Sequence, residues 1–539
     1  MEKKLSQLTQ KLEHEYIGKK IDPTITELCF DSRDVKEGSL FFALPGTHVH
    51  GNKFIPKAIE QGAVAIVFQD ELPSETLNAA QLGSKNGNEV ALIKVPDSRF
   101  AMSPMAEAFY DNPSAKLVII GVTGTEGKSS TVAFVWQLLR LCGKTAGFIS
   151  TVQYSTGDDA IANPEHQTTP EAPIVQRQLY EMLQNGCHFA VVESSSHGLS
   201  LRTNRLGNVH FDAAIWMNVT HEHLEFHGTV EQYKSDKANL FRSLDTHNHK
   251  KIICGREQNI PAFGVINLED PEADYFAKAT KHPVYGFTTF GKAGRENKNA
   301  SCIVPAKVNE YQAHDLVASA EGINFNLKEA KATQYISVEA PLPGAFNTYN
   351  VMAAIITVSK ITGIPIEEVA EKAKLLEPVK GRMTLIDCGQ PFEVIVDYAH
   401  TPSSFETIFP PLRKRAKGKI TAVFGSGGER DTKKRPEQGR IAALWCDTVI
   451  LADEDPRGED SVELLEMIAV GARKVGKTEG KGLYIIPDRK EAIRKAFQLA
   501  QKDDIVLLLG KAHENSIIYK DYVMPYDEIS TAKELLMEL

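Results

Sequence analysis

The chain is poor in the features that mark secreted, membrane or nucleic-acid-binding proteins. Its seven cysteines (Cys29, Cys142, Cys187, Cys254, Cys302, Cys388, Cys446) are odd in number, scattered and never spaced Cys-x-x-Cys. That excludes a zinc ribbon and a disulfide framework and fits reduced, buried thiols. No apolar run approaches the roughly 20 residues of a membrane span. Met1-Glu2-Lys3-Lys4-Leu5 leads into a polar helix without the apolar core of a signal peptide, so a soluble, cytoplasmic protein is expected. A net charge of −9 over 539 residues is mild and leaves no general surface for nucleic acid. Any anionic ligand must be held by local Lys and Arg clusters. Internal repeats and heptad runs are absent. What is present is an ordinary globular composition, 42% hydrophobic and 24% charged, long enough for about three or four domains.

One stretch organises the rest. Leu117 to Val122 reads as a buried strand, Gly124 and Gly127 open a tight loop, and Ser129 to Leu141 reads as an amphipathic helix ending at Gly143. A strand, a glycine loop and a helix N-terminus form a phosphate cradle. The loop N–H groups and the helix dipole favour an anion, Lys128 reaches terminal phosphates, and Ser129 can hold Mg²⁺. The strict phosphate-loop pattern requires Gly where this chain has Val122, and an ordinary strand–helix turn with an exposed lysine is the competing explanation.

The remainder reads as α/β. Residues 1–113 alternate short strands and helices, with Asn78 to Asn88 as a polar loop and Met102 to Tyr110 helical. Asp111-Asn112-Pro113-Ser114 is a turn cluster and the first boundary. Residues 114–379 form a second domain with a mostly parallel sheet covered on both faces. Its Lys250 to Ala340 part is a strand-rich elaboration, and a helix runs from Asn350 to Thr362. Residues 380–539 repeat a doubly wound pattern, Rossmann-like, with strands at 394–397, 420–424, 448–451 and 504–509. Ligands belong at the carboxyl ends of such strands.

Several residues carry chemistry, each with a plainer explanation beside it. Glu193 ends a buried strand, where it can ligate Mg²⁺ or cap a helix. Ser195 and His197 lack the Gly-x-Ser-x-Gly elbow of a hydrolase. His221 to His227 is dense in potential ligands. Zinc is disfavoured because the His-Glu-x-x-His order is missing, magnesium beside Glu193 is favoured, and a solvated loop is the remaining explanation. Lys237, taken alone, is a surface lysine. The glycines of Gly425 to Asp431 let backbone approach a ligand, and Arg430 can pair with a carboxylate or phosphate. Asp453-Glu454-Asp455-Pro456-Arg457 combines acids for an ammonium with an arginine for a carboxylate, or is a solvated turn.

These segments, with Asp31-Ser32-Arg33, Thr168-Thr169-Pro170, Asn347-Thr348-Tyr349-Asn350, Gly381-Arg382-Met383, Asp397 to Pro402 and Gly510-Lys511-Ala512-His513-Glu514, resemble the Mur ligase family. Within it they resemble the members that add the third residue to the peptidoglycan stem peptide. The resemblance covers nearly the whole chain and implies ATP-dependent amide formation. The substrates would be UDP-MurNAc-L-Ala-D-Glu and a free diamino acid, the intermediate an acyl phosphate, and the working unit a monomer. It implies that Gly124, Thr125, Glu126, Gly127, Lys128, Ser129, Ser130, Asn347, Arg382 and Asp397 surround ATP. Ser129, Glu193 and His223 would hold Mg²⁺, with Lys237 as a carbamylated lysine placing a second ion. Ser32, Thr168, Thr169, Ser195 and Arg205 would hold the UDP substrate, Arg202 being the rival to Arg205. Arg430, Glu454, Asp455, Arg457, Gly510 and Glu514 would surround the amino acid.

Two departures matter. Glu126 replaces the family's usual Asn, an extra negative charge expected to be offset by Mg²⁺ or turned outward. Asp455 replaces the Asn of meso-diaminopimelate-using members, and a negative charge there would repel a distal carboxylate and attract a distal ammonium. L-lysine or L-ornithine is therefore expected, with meso-diaminopimelate as the alternative because Arg457 is retained. A folylpolyglutamate-type ligase and a non-catalytic nucleotide-binding scaffold are the less favoured readings.

Overall fold

A computed structural model describes residues 1–46, 49–82, 89–163, 167–220, 224–289, 308–319 and 321–539. It contains three principal sheets. The first runs Glu15–Ile17, Ala91–Lys94, Ala65–Phe68, Ser39–Phe42, Glu27–Cys29, parallel except for its first edge strand. The stretch expected to be a loop from Asn78 is helical to Leu82, within Ser74–Leu82, and Gly83 to Asn88 lie outside the described residues. The expected helix at Met102 begins earlier, at Ser98, because the Asp97 carboxylate caps the N–H groups of Arg99 and Phe100.

The second sheet holds the phosphate-loop strand at its centre. Seven strands run parallel in the order Ala146–Ile149, Phe189–Glu193, Val118–Thr123, Ala213–Trp216, Phe263–Asn267, Val284–Thr288, Val308–Ala318. Antiparallel strands extend both edges, and the strands from Phe263 to Ala340 enlarge this sheet, whereas Lys250–Ile253 and Arg256–Asn259 pair with each other in a separate two-stranded sheet. Alternation puts Val118, Ile120 and Val122 against helices Lys128–Leu141 and Asn347–Thr362. Leu117 and Ile119 face helices Ala172–Gln184 and Val230–Ser243 on the other side. Both faces are buried, which is why these strands read as continuous apolar runs. The helix expected from Asn350 starts one turn earlier, at Asn347.

The third sheet runs Thr384–Ile386, Glu393–Asp397, Ile505–Leu509, Ile420–Phe424, Thr448–Leu451, Gly482–Ile485, Thr478–Glu479, with only the first edge antiparallel. No helix among the described residues is long and apolar enough to cross a membrane.

Candidate active site

Val118–Thr123 ends in a loop whose glycines are required by geometry. Gly127 sits at φ +83, and a Cβ there would stand 2.6 Å from Asn350 Oδ1. Helix Lys128–Leu141 follows at once, so its N-terminus faces the loop. Asn218, two residues beyond the next strand, pins the loop: its Oδ1 accepts from the Thr125 and Glu126 N–H groups and its Nδ2 donates to the Glu126 carbonyl. Lys128 folds back onto the Thr125 carbonyl at 2.8 Å.

The carboxyl end of Phe189–Glu193 delivers Glu193, buried and not capping a helix. Its Oε1 accepts from Ser129 Oγ (3.0 Å), and its Oε2 from Ser150 Oγ (2.7 Å) and the Thr151 N–H (2.9 Å). From the third sheet Arg382 reaches across to donate to Ser129 Oγ at 3.2 Å, its guanidinium 4.8 Å over the Tyr398 ring. Glu193, Ser129 and Arg382 are thus brought together from three elements. Asp397 holds the Met383 and Ala399 N–H groups, and burial pushes its carboxyl above the ordinary range although Arg382 opposes the shift.

A cavity of about 560 Å³ opens between the second and third sheets, lined by Thr125 to Ser130, Asn218, Asn267, Glu269, Phe346, Tyr349, Arg382, Asp397 and Glu406. Glu126 is part of this wall, half-buried. Asn347 stands a step behind it, its Nδ2 on the Pro343 carbonyl and its Oδ1 on Asn350. Asn218, Asn267 and Glu269 were not singled out from sequence, and Tyr349 only as part of the Asn347–Asn350 segment. Asn218 and Asn267 had a signal, since each is a polar residue closing an apolar parallel strand at the same sheet edge as Glu193.

Lys237 is not a surface lysine. It is buried on helix Val230–Ser243, its Nζ donating to the Gly124 carbonyl at 2.5 Å and lying 4.5 Å over the Tyr233 ring. His223 lies outside the described residues. His227 is not a solvated loop histidine: it is buried between Asp236 (2.7 Å) and Ser196 Oγ (3.0 Å).

Thr169 links two parts of the site, its hydroxyl donating to the Glu193 carbonyl and accepting from the Ser195 N–H, each at 2.9 Å. Ser195 Oγ caps the short helix Ser196–Leu199. Arg205 donates to the Thr169 carbonyl and to Glu171, which Arg99 of the first unit also engages. Arg202 instead lies over the Phe226 ring and donates to the Phe226 carbonyl. Thr168 is half-buried beside Thr169, and Ser32 is buried between half-buried Asp31 and exposed Arg33, which pair with each other.

Around the third sheet two expectations change. Gly425 and Gly428 are required by packing: a Cβ on Gly425 would stand 2.1 Å from the Ala452 carbonyl oxygen, and one on Gly428 1.9 Å from that of Pro456, whereas one on Gly427 would meet only Arg430 Cγ at 3.4 Å. Backbone here approaches the 453–457 segment, with the Gly428 N–H on the Asp455 carbonyl at 2.7 Å. Asp455 also presents no free charge. Its Oδ1 lies 2.8 Å from Nζ of buried Lys511 and accepts the Ile518 N–H at 2.9 Å, while Lys511 pairs in turn with Glu514. Glu454 is the unsettled acid. It is buried beside Gly510, Oε2 has no hydrogen-bond partner, and desolvation pushes its carboxyl up to about 7. Arg457 has a buried Nε without a partner, and Arg430 is exposed.

Three family models match the chain in order. They are "Mur ligase family, catalytic domain" at residues 24–110, "Mur ligase middle domain" at 122–358 and "Mur ligase, glutamate ligase domain" at 381–512. A UDP-N-acetylmuramyl-tripeptide synthetase of Treponema denticola is 54% identical, over 94% of this chain and 91% of its own. A UDP-N-acetylmuramoyl-L-alanyl-D-glutamate–2,6-diaminopimelate ligase of Geobacillus thermodenitrificans is 35% identical, over 99% of both. A solved structure of a ligase of that 2,6-diaminopimelate type matches with a TM-score of 0.56 and 28% identity, over 95% of each chain. With all three models matched in order and relatives aligned over nearly its full length, the chain belongs to the Mur ligase family.

Proposed function

We propose that the chain is a cytoplasmic, ATP-dependent amide ligase. It joins a diamino acid, L-lysine or L-ornithine, to the D-Glu γ-carboxylate of UDP-MurNAc-L-Ala-D-Glu in peptidoglycan synthesis. The observation that carries the reading is the meeting of Ser129 with Glu193 and Arg382 beside Lys128, at the mouth of a cavity spanning two sheets. Family membership and the 54% identity to a tripeptide synthetase support it.

In this reading the loop N–H groups, Lys128 and Arg382 bind and orient the phosphates of ATP. The substrate carboxylate attacks the γ-phosphorus and ADP leaves. The amine then attacks the acyl phosphate and expels phosphate. Positioning and charge neutralisation supply most of the acceleration in such phosphoryl transfer. Ser129 and Glu193 form an all-oxygen donor set suited to a hard cation, so they would hold Mg²⁺, with His223 as a further donor. When bound, Mg²⁺ supplies charge neutralisation to the phosphates. Lys237, buried beneath the loop, would carry the carbamate formed when its amine adds to CO₂ and loses a proton. Thr169, Ser195 and Arg205 would orient the acceptor peptide from the other side of Glu193.

Glu454, a buried acid whose Oε2 has no hydrogen-bond partner, supports an amino acid with a distal ammonium. The relatives named for 2,6-diaminopimelate stand at 35–36% identity, further from this chain than the tripeptide synthetases. The unpartnered Nε of Arg457 favours meso-diaminopimelate as the second reading. Phosphate release with ATP, Mg²⁺, UDP-MurNAc-L-Ala-D-Glu and each of L-lysine, L-ornithine and meso-diaminopimelate tests this. Release with a monocarboxylic diamine is expected. Preference for diaminopimelate transfers the reading to Arg457, and silence with all three overturns the ligase assignment.

A further inference from the structure

Away from the cavity, at the amino ends of the parallel strands, lies a second constellation. Asp212 directly precedes strand Ala213–Trp216 and is fully buried. His247 and His249 come from the loop between helix Val230–Ser243 and strand Lys250–Ile253. One ligand atom from each of Asp212, His247 and His249 lies within 4.8 Å of the other two.

The hydrogen bonds show which atoms face one another. His249 Nε2 lies 2.8 Å from the Leu244 carbonyl, which can only accept, so Nε2 carries a proton. The other ring nitrogen, Nδ1, lies 2.9 Å from Asp212 Oδ1. His247 Nδ1 lies 3.4 Å from the Thr246 hydroxyl, and its Nε2 is buried without a hydrogen-bond partner among the described residues.

The nearby cation leaves Asp212 Oδ1 to the rings. Lys251 Nζ directs its three protons at the Ser114 carbonyl (2.7 Å), the His210 carbonyl (3.2 Å) and Asp212 Oδ2 (3.1 Å). Oδ2 also takes the Ile119 N–H, so Oδ1 is the oxygen left facing the two rings. One nitrogen of each imidazole and a carboxylate oxygen thus converge within 4.8 Å of one another.

We infer that Asp212, His247 and His249 form a binding site for one borderline transition-metal ion of the zinc class. Two imidazoles and one carboxylate suit Zn²⁺ and its first-row neighbours better than Mg²⁺, which prefers a mostly oxygen donor set. Zinc bonds of about 2.0–2.2 Å bring tetrahedral ligand atoms to roughly 3.5 Å apart, a closure of about an ångström for the widest pair. The fourth position takes water or His210, whose ring stacks on His247 at 4.7 Å. Such an ion ties the loop after the Lys237 helix to the start of a central strand, and through Lys251 and Ser114 to the segment before Val118. It is a structural staple, separate from the cation site at Glu193.

Full-length protein stripped with a chelator and titrated with Zn²⁺ against a chromogenic zinc indicator tests the site. One equivalent should bind in wild-type protein and in Glu193→Gln, and Co²⁺ in its place should show the intense d–d absorption of a tetrahedral site. His247→Ala and His249→Gln should each weaken this equivalent about tenfold or more. They should also abolish the Zn²⁺-dependent rise in melting temperature that binding to the native state produces. Far-UV circular dichroism and chelator-treated melting of His247→Ala should match wild type. Absence of a stoichiometric equivalent in wild-type protein, or its survival in both histidine variants, overturns the proposal.

Discussion

Asp455→Asn separates a free selector charge from a structural one. A carboxylate free in the cleft about 6 Å from a substrate's distal carboxylate, at an effective dielectric of about 20, contributes about 3 kcal/mol, on the order of a hundredfold in selectivity. Asp455, however, is held 2.8 Å from a buried ammonium and spends its Oδ1 there and on the Ile518 N–H. The Lys511 charge cancels most of its field, so Asp455→Asn should change the diaminopimelate-to-lysine ratio of kcat/KM less than about threefold. The loss should appear in stability instead. Removing one partner of a buried pair costs about 3–5 kcal/mol when the other charge is abandoned. Here Glu514 still pairs with Lys511 and Asn still accepts the Ile518 N–H, so about 2 kcal/mol is expected. Phosphate release with each amino acid, beside urea unfolding, measures both. A variant that gains about a hundredfold for diaminopimelate while keeping its stability would refute the reasoning and restore Asp455 as the selector.

Glu193→Gln should lower kcat by about 10²–10³ with little change in melting temperature, since the amide keeps the contour and loses the charge; single-turnover phosphate release checks it, and near-wild-type turnover would remove Glu193 from the machinery. Gly428→Ala should destabilise by more than about 2 kcal/mol and raise the KM for the amino acid more than for ATP, because its Cβ would strike the Pro456 carbonyl and shift the segment carrying Glu454 and Arg457. Glu454 should make stability pH-dependent. Its carboxyl rises from 4.5 to about 7 on folding, so the native state binds the extra proton and stability falls as pH rises from about 4.5 to 7. Over that window the loss is about 3 kcal/mol for this group, and Glu454→Gln should remove it. Denaturant midpoints of both proteins at pH 5 and pH 8 decide, parallel pH profiles being the contrary result.

Strands such as Leu117 to Val122, 420–424 and 504–509 were legible because parallel strands covered on both faces need uninterrupted apolar runs, and little else produces them. The helix end at Gly143 was legible because a glycine marks it, in a left-handed position. The Asn78 region misled because its polar residues belong to an amphipathic surface helix, whose exposed face has a loop's composition. Lys250 to Ala340 was legible only as strand-rich, without its element bounds, because its edge strands, half exposed, alternate weakly.

Charge placement was the part of the site that local sequence hid, because the partner that decides whether a charged side chain is free lies far along the chain. Lys237 reads as solvated by its neighbours Ser235, Asp236 and Asn239, yet the helix turns it under a loop 113 residues earlier. Asp455 reads as a free charge by comparison with its asparagine counterpart, yet Lys511, 56 residues on, is buried against it. Glu454, the adjacent residue, has similar chemistry and no such partner, so the unneutralised acid is displaced by one position from where substitution reasoning places it. A change of side chain at a specificity position therefore carries over to substrate choice only when no internal counter-charge has changed with it. In this chain the residue to interrogate for an ammonium is Glu454, and the one to interrogate for a distal carboxylate is Arg457.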